Sequence, residues 1–161
     1  MDLPVHPDLV MLAPLLGAWA GEGEGRYPTI EPFRYREQAW FSHVGKPFLA
    51  YRHGTVNLAT DQPAHAESGY LRAVGPGQVE LVLVHPTGIV ELSEGEVVSQ
   101  QDGVTLHLVT TAVPRTATAK EVTSVERRIS VVGATLRYEV SMGAVGCAHQ
   151  HHLAAELHRR D

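Results

Sequence analysis

A single cysteine, Cys147, stands in the 161 residues, so no internal disulfide can form. Stability has to come from a core, and a domain of this size buries roughly 70% of the surface its unfolded chain exposes. Cysteine this scarce suits a reducing compartment, and the expectation is a cytoplasmic protein. No run of about 18 apolar residues occurs, which excludes a membrane-spanning helix. The opening MDLPVHPDLV carries an acid and two prolines where a secretory leader would be basic and then apolar. Basic residues are also short: 13 Lys and Arg against 18 Asp and Glu leave a net charge of −5. They are scattered apart from Arg159-Arg160, so no face is built to displace counterions from nucleic acid. Ser-His-Asp and metalloprotease patterns are missing as well.

Histidine, by contrast, is plentiful. There are ten, and His149, His151, His152 and His158 fall near the C-terminus. The apolar block at 8–16, broken by Pro14, reads as one or two turns of helix, because proline cannot continue a helix from its interior. Beyond it the texture is that of strands. Arg34–Phe41, Val79–Val84, Val104–Val109 and Thr135–Val140 are rich in aromatic and β-branched residues, which suit a pleated surface. Turn signals stand at 61–63, 75–77, 86–88, 102–103 and 132–133. They recur every 10 to 15 residues or about that, the spacing of an up-and-down meander of about ten strands. Closure removes the open edges, so an antiparallel β-barrel is expected, with residues 1–161 forming one domain. A barrel of more than about eight strands is too wide for side chains alone and should hold a ligand. A two-sheet sandwich fits the strand pattern too, but no Cys…Trp…Cys core supports the immunoglobulin type. Residues 112–119 are expected to form a flexible loop.

The stretch Gly17-Ala18-Trp19-Ala20-Gly21-Glu22-Gly23-Glu24-Gly25 is glycine-rich but is not a phosphate loop: no helix follows, and no Lys-Ser/Thr pair. Glycines at alternate positions leave one face of a strand bare. Either the strand coils tightly there or a flat ligand lies against it. Glu22 and Glu24 fall on the opposite, solvated face.

A Gly-x-Trp after a short helix resembles the opening of lipocalins and fatty-acid-binding proteins. The longer series is more specific. Pro14-Leu15-Leu16-Gly17-Ala18-Trp19-Ala20-Gly21-Glu22-Gly23 fits Gly-x-Trp-x-Gly-x-Gly, with Gly17, Trp19, Gly21 and Gly23 as its fixed positions. Tyr27-Pro28-Thr29-Ile30-Glu31-Pro32-Phe33, Glu67-Ser68-Gly69-Tyr70-Leu71-Arg72, Thr118-Ala119-Lys120-Glu121-Val122-Thr123 and His152-Leu153-Ala154-Ala155-Glu156-Leu157 follow in order. Together they resemble the nitrobindin family, ferric-heme β-barrels also described as peroxynitrite isomerases.

That resemblance implies a ten-stranded barrel with one heme b at an open end, an exposed distal side, isomerisation of peroxynitrite to nitrate, and reversible nitric oxide binding. It makes His152 the proximal axial ligand to iron, sets Thr29 against the heme and offers Lys120 as a propionate partner, with no catalytic residue beyond the iron. Strand parity alone does not select His152. His151 shares a face with Leu153, Ala155 and Leu157, and the apolar face of a barrel strand is usually the inner one. With His152 inward, Ala154 would leave room beside the porphyrin and the Leu face would pack under the N-terminal helix. A bulge near Cys147–His149 would also shift the register. His149, His151 and His158 read as a solvated strand end, although His149 and His151 share a face and could chelate zinc. Cys147 lacks a Cys-x-x-Cys-His context and reads as passive, and His43 as a turn residue. The alternatives are a non-enzymatic nitric oxide or heme carrier or sensor, and a lipocalin-like carrier of an apolar molecule. A homodimer is also possible on sequence grounds.

Overall fold

Ten strands carry the alternation seen in the sequence. The computed structural model describes residues 3–161. The strands are β1 (Gly17–Tyr27), β2 (Ile30–Ser42), β3 (Phe48–Asn57), β4 (Pro63–Gly75), β5 (Gln78–Val84), β6 (Val90–Gln100), β7 (Gly103–Ala112), β8 (Val122–Val132), β9 (Thr135–Ala144) and β10 (Cys147–Arg160). Each pairs antiparallel with the next, and β10 pairs with β1 to close the barrel. Closure satisfies both strand edges, as the edge argument requires. Tight turns at 76–77, 86–88, 101–102 and 133–134 coincide with the turn signals. Gly77, Gly88 and Gly133 take positive φ there, which only glycine adopts without strain.

The N-terminal segment is longer than one or two turns: it forms a 3-10 helix over Pro7–Leu15. Pro7 opens it, where no N–H is needed, and Pro14 is tolerated near its end. Leu9, Leu12 and Leu15 recur every third residue, the period of a 3-10 helix, and all three are buried. They plug one end of the barrel against Leu49, Leu71, Leu106, Leu136 and Leu157. Trp19 completes the plug, its Nε1 donating to Leu15 O at 2.7 Å. The Arg159 guanidinium stacks 4.3 Å from the Trp19 ring and donates to Pro14 O and Leu16 O, carbonyls that the helix end leaves unpaired.

Inward residues fill the barrel nearly completely. The remaining interior cavity, bounded by Ala39, Phe41, Tyr51, Leu81, Leu108 and Leu157 among others, measures about 40 Å³. That is room for a few waters, not for a porphyrin or a lipid. The expectation of a ligand inside the barrel is therefore corrected: Trp, Tyr, Phe and Arg side chains take up the width. The bare face of β1 is filled in the same way. A methyl at Gly23 would overlap the Tyr35 ring, and one at Gly25 the Phe33 ring, so β2 aromatics occupy the space the glycines leave. Gly21 instead permits close approach of the β10 backbone at Glu156 and Leu157.

The loop between β7 and β8 is tied down. Val90 N donates to Pro114 O, and Thr116 N to Gly88 O, each at 2.9 Å. Among the described residues no helix is long and apolar enough to cross a membrane.

Candidate functional site

The turns at 28–29, 58–62, 86–88, 113–121 and 145–146 gather at the end opposite the helix. Here β10 is irregular twice, between Cys147 and Gln150 and between His151 and Leu153. In the second case Ser141 faces His151 and Val140 faces Leu153, so His152 has no partner on β9. It is the extra residue of a β-bulge, and a bulge re-aims the side chain it carries. This resolves the parity conflict. Leu153, Ala155 and Leu157 keep their inward face, packing with the core, while His152 is turned independently of them. Ala154 is level with Glu24 and Glu139 on the outer face, so it does not line the interior as expected from an inward His152.

His152 Nδ1 lies 3.0 Å from Arg26 O, and a carbonyl partner makes Nδ1 the donor. The proton is thereby fixed on Nδ1 and the Nε2 lone pair is left free. Tyr27 and Phe33 meet the ring edge-on at 5.4 and 6.5 Å and hold its orientation. Tyr27 is in turn anchored, its hydroxyl accepting from Ala144 N at 2.9 Å. Burial lowers the pKa of His152 below its ordinary value, so the ring is neutral at physiological pH. A neutral imidazole with a carbonyl on one nitrogen and a lone pair on the other is a metal-ligating arrangement.

Beside it opens a cleft of about 900 Å³, lined by the apolar Ile30, Pro32, Phe33 and Leu58, by Arg26 and Arg34, by Glu24 and Glu31, and by His151 and His152. Its size suits a cofactor. The donor set fits heme: an imidazole nitrogen for iron, an apolar wall for the macrocycle and cations for two propionates. Thr29 occupies the turn next to Ile30, and Lys120 is exposed on the β7–β8 loop at the same end; neither lines the cleft. The other histidines separate. His149 bonds Ser124 Oγ at 2.8 Å and faces Glu126, His158 faces Glu156 on the surface, and His43 caps Gly45 N at the helix end. His149 is thus held against β8, while His151 lines the cleft. Cys147 is free.

Sequence reasoning missed a second cluster, inside the barrel beneath the mouth. Arg127 donates to both oxygens of Glu67 at 2.9 Å and, through Nε and Nη2, to Glu91 at 3.0 and 2.7 Å. His53 Nδ1 pairs with Glu37 at 2.7 Å, and His85 Nε2 with Glu91 at 2.8 Å. Tyr51 donates to Glu67, and Tyr138 to Glu37. Burial opposes ionisation of Glu67 and Glu91, but Arg127 overcomes it and holds Glu67 well below, and Glu91 below, the usual carboxylate range. The signal was legible in parity. Glu37 stands between the inward Tyr35 and Ala39, and Arg127 between Val125 and Ile129, a charge at each apolar position.

Comparison with known proteins gives the family. The family model of the THAP4-like, heme-binding β-barrel domain matches residues 8–159. The chain is 54% identical over 160 residues to peroxynitrite isomerase 2 of Mycobacterium marinum, covering 99% of each. It is 48% identical over 158 residues to the peroxynitrite isomerase of Nocardia farcinica, covering 98% of this chain and 94% of that protein. The crystal structure of Rv2717c from M. tuberculosis superposes with a TM-score of 0.96 at 48% identity, over 98% of this chain and all of the other. By family match, identity and fold alike, the chain belongs to the THAP4-like heme-binding β-barrel family.

Proposed function

We propose that this chain is a heme-dependent peroxynitrite isomerase that holds one ferric heme b at the mouth of its barrel through His152, converting peroxynitrite to nitrate and binding nitric oxide reversibly. The observation that carries the ligand assignment is the bulge-borne His152, its Nδ1 committed to Arg26 O at 3.0 Å and its Nε2 free beside the cleft. Relatives about half identical over their full length, called peroxynitrite isomerases, support the reaction.

Heme, when bound, would supply a Lewis-acidic iron able to take a small anion. The chain supplies the rest. His152 donates Nε2, and Arg26 O keeps the imidazole in the tautomer that can donate it. Tyr27 and Phe33 prevent the ring from turning. Ile30, Pro32 and Leu58 give the macrocycle an apolar wall, which disfavours face-to-face aggregation of the cofactor. Arg26 and Arg34 line the cleft as cations for propionates, Arg34 being paired with Glu22 at 3.0 Å, with Thr29 and Lys120 as contacts from the same end outside that lining. The rearrangement conserves all atoms and electrons, so no reductant or proton donor has to be bound. A lipocalin-like carrier has no such support, because the interior cavity of about 40 Å³ admits no apolar ligand of size.

Stopped-flow decay of peroxynitrite decides the matter. The heme-loaded chain should accelerate decay far above an equal concentration of free ferric heme and yield nitrate, and His152→Ala should lose the excess. A rate equal to that of free heme would leave a heme or nitric oxide carrier.

A further inference from the structure

Beneath the mouth, the buried cluster contains one polar atom with nothing to bond. His53 Nε2 is buried and has no hydrogen-bond partner among the described residues. It points at Glu67 Oε1 from 3.6 Å, too far for a hydrogen bond. Two other nitrogens stand off the same carboxylate in the same way: His65 Nε2 at 3.8 Å and His85 Nδ1 at 3.5 Å from Glu67 Oε2. Ligands each about 2.1 Å from a tetrahedral zinc ion are separated by about 3.4 Å. The spacings are those of atoms that share a cation rather than a proton.

The far nitrogens of two of these rings are occupied in the way metal-bound histidines require. His53 Nδ1 is held by Glu37 at 2.7 Å and His85 Nε2 by Glu91 at 2.8 Å, each a carboxylate orienting the ring and leaving the other nitrogen for a ligand. Charge points the same way. Three carboxylates, Glu37, Glu67 and Glu91, are buried in a cluster whose one guanidinium, Arg127, pairs with Glu67 and Glu91, so acids outnumber it by two. A divalent cation removes that excess.

We infer that His53 Nε2, His65 Nε2, His85 Nδ1 and Glu67 form a second metal site, for a divalent cation of zinc type, separate from the heme cleft. The ligand atoms of His53, His65 and Glu67 already lie within 4.8 Å of one another, and His85 Nδ1 is 3.0 Å from His65 Nε2. Arg127 and Tyr51 together take both lone pairs of Glu67 Oε1, but Oε2 accepts only from Arg127 and keeps one lone pair for the ion. The side chain of His65 is 35% exposed and gives the ion a way in. The bond between His65 and His85 is the contact the ion replaces.

Isothermal titration of the full-length chain with Zn²⁺ tests this, with thermal melts alongside. One site per chain should appear, and zinc should raise Tm. His65→Ala alters a partly exposed ring and should fold normally; His53→Asn keeps a donor for Glu37 but removes Nε2. Each should weaken binding by about tenfold or more and abolish the rise in Tm. His152→Ala and His149→Ala should bind as wild type does, which separates this site from the heme ligand and from the surface histidines. No binding by the wild type, or binding that survives both His65→Ala and His53→Asn, would overturn the inference.

Discussion

At the scale of single residues, His152 shows how position and protonation combine. Burial lowers its pKa from the ordinary 6.5, so protons compete for Nε2 only in solutions more acidic than would protonate a free imidazole. The Soret band of the heme-loaded chain should therefore persist as pH falls through 6.5 and collapse only below it; loss centred at or above 6.5 would contradict the assignment. Gly23 makes a second residue-scale prediction. Its missing side chain is the space that Tyr35 fills, and Tyr35 is fixed by its hydroxyl bond to Tyr138 at 2.8 Å. Gly23→Ala should lower stability by about 1–3 kcal/mol in urea melts, as overpacking does elsewhere.

At the scale of elements, β10 carries the proposed iron ligand, and its bulge separates two jobs. Leu153, Ala155 and Leu157 build the core while His152 is aimed on its own. Ala154 then belongs to the outer face between Glu24 and Glu139. Ala154→Lys should be neutral or stabilising by a few tenths of a kcal/mol, through cross-strand pairs with those acids, and should leave the Soret band unchanged. A lysine that expelled heme would place Ala154 inside. The strands were legible in the sequence because alternation and turn residues are local. Pro63 opens β4 and Pro86-Thr87-Gly88 divides β5 from β6, as their chemistry requires. The bulge at His152 was not legible there, since an unpaired residue is defined by the neighbouring strand and leaves no mark in its own. The buried cluster lay between these cases. Glu37 and Arg127 break apolar alternation visibly, but their meeting depends on three-dimensional closure, with Arg127 on β8 reaching Glu67 on β4.

At the scale of the whole molecule, the barrel has a plugged end and an open one, and the ionic cluster ties the strands together between them. Arg127 joins β8 to β4 and β6, so Arg127→Met should cost about 3–5 kcal/mol, because it leaves buried carboxylates uncompensated. The pH dependence has two parts of opposite sign. Glu67 and Glu91 titrate below their ordinary 4.5, so their stabilisation is complete above that value and is lost as pH falls through their lowered folded values. His53 is raised: burial opposes its charge, but Glu67 and Glu37 outweigh it, so its contribution is complete below 6.5 and is lost as pH rises through the folded value. Urea midpoints against pH, compared between the parent and Arg127→Met, should show the acid-side fall shrink in the variant. At the open end, His152 is the proposed ligand through which the barrel holds heme. Titration of the purified chain with ferric heme, followed in the Soret region beside His152→Ala and His151→Ala, tests it most directly. A saturable one-to-one band in the parent and in His151→Ala, weakened or shifted in His152→Ala, is the predicted result; an unaltered band in His152→Ala would contradict it.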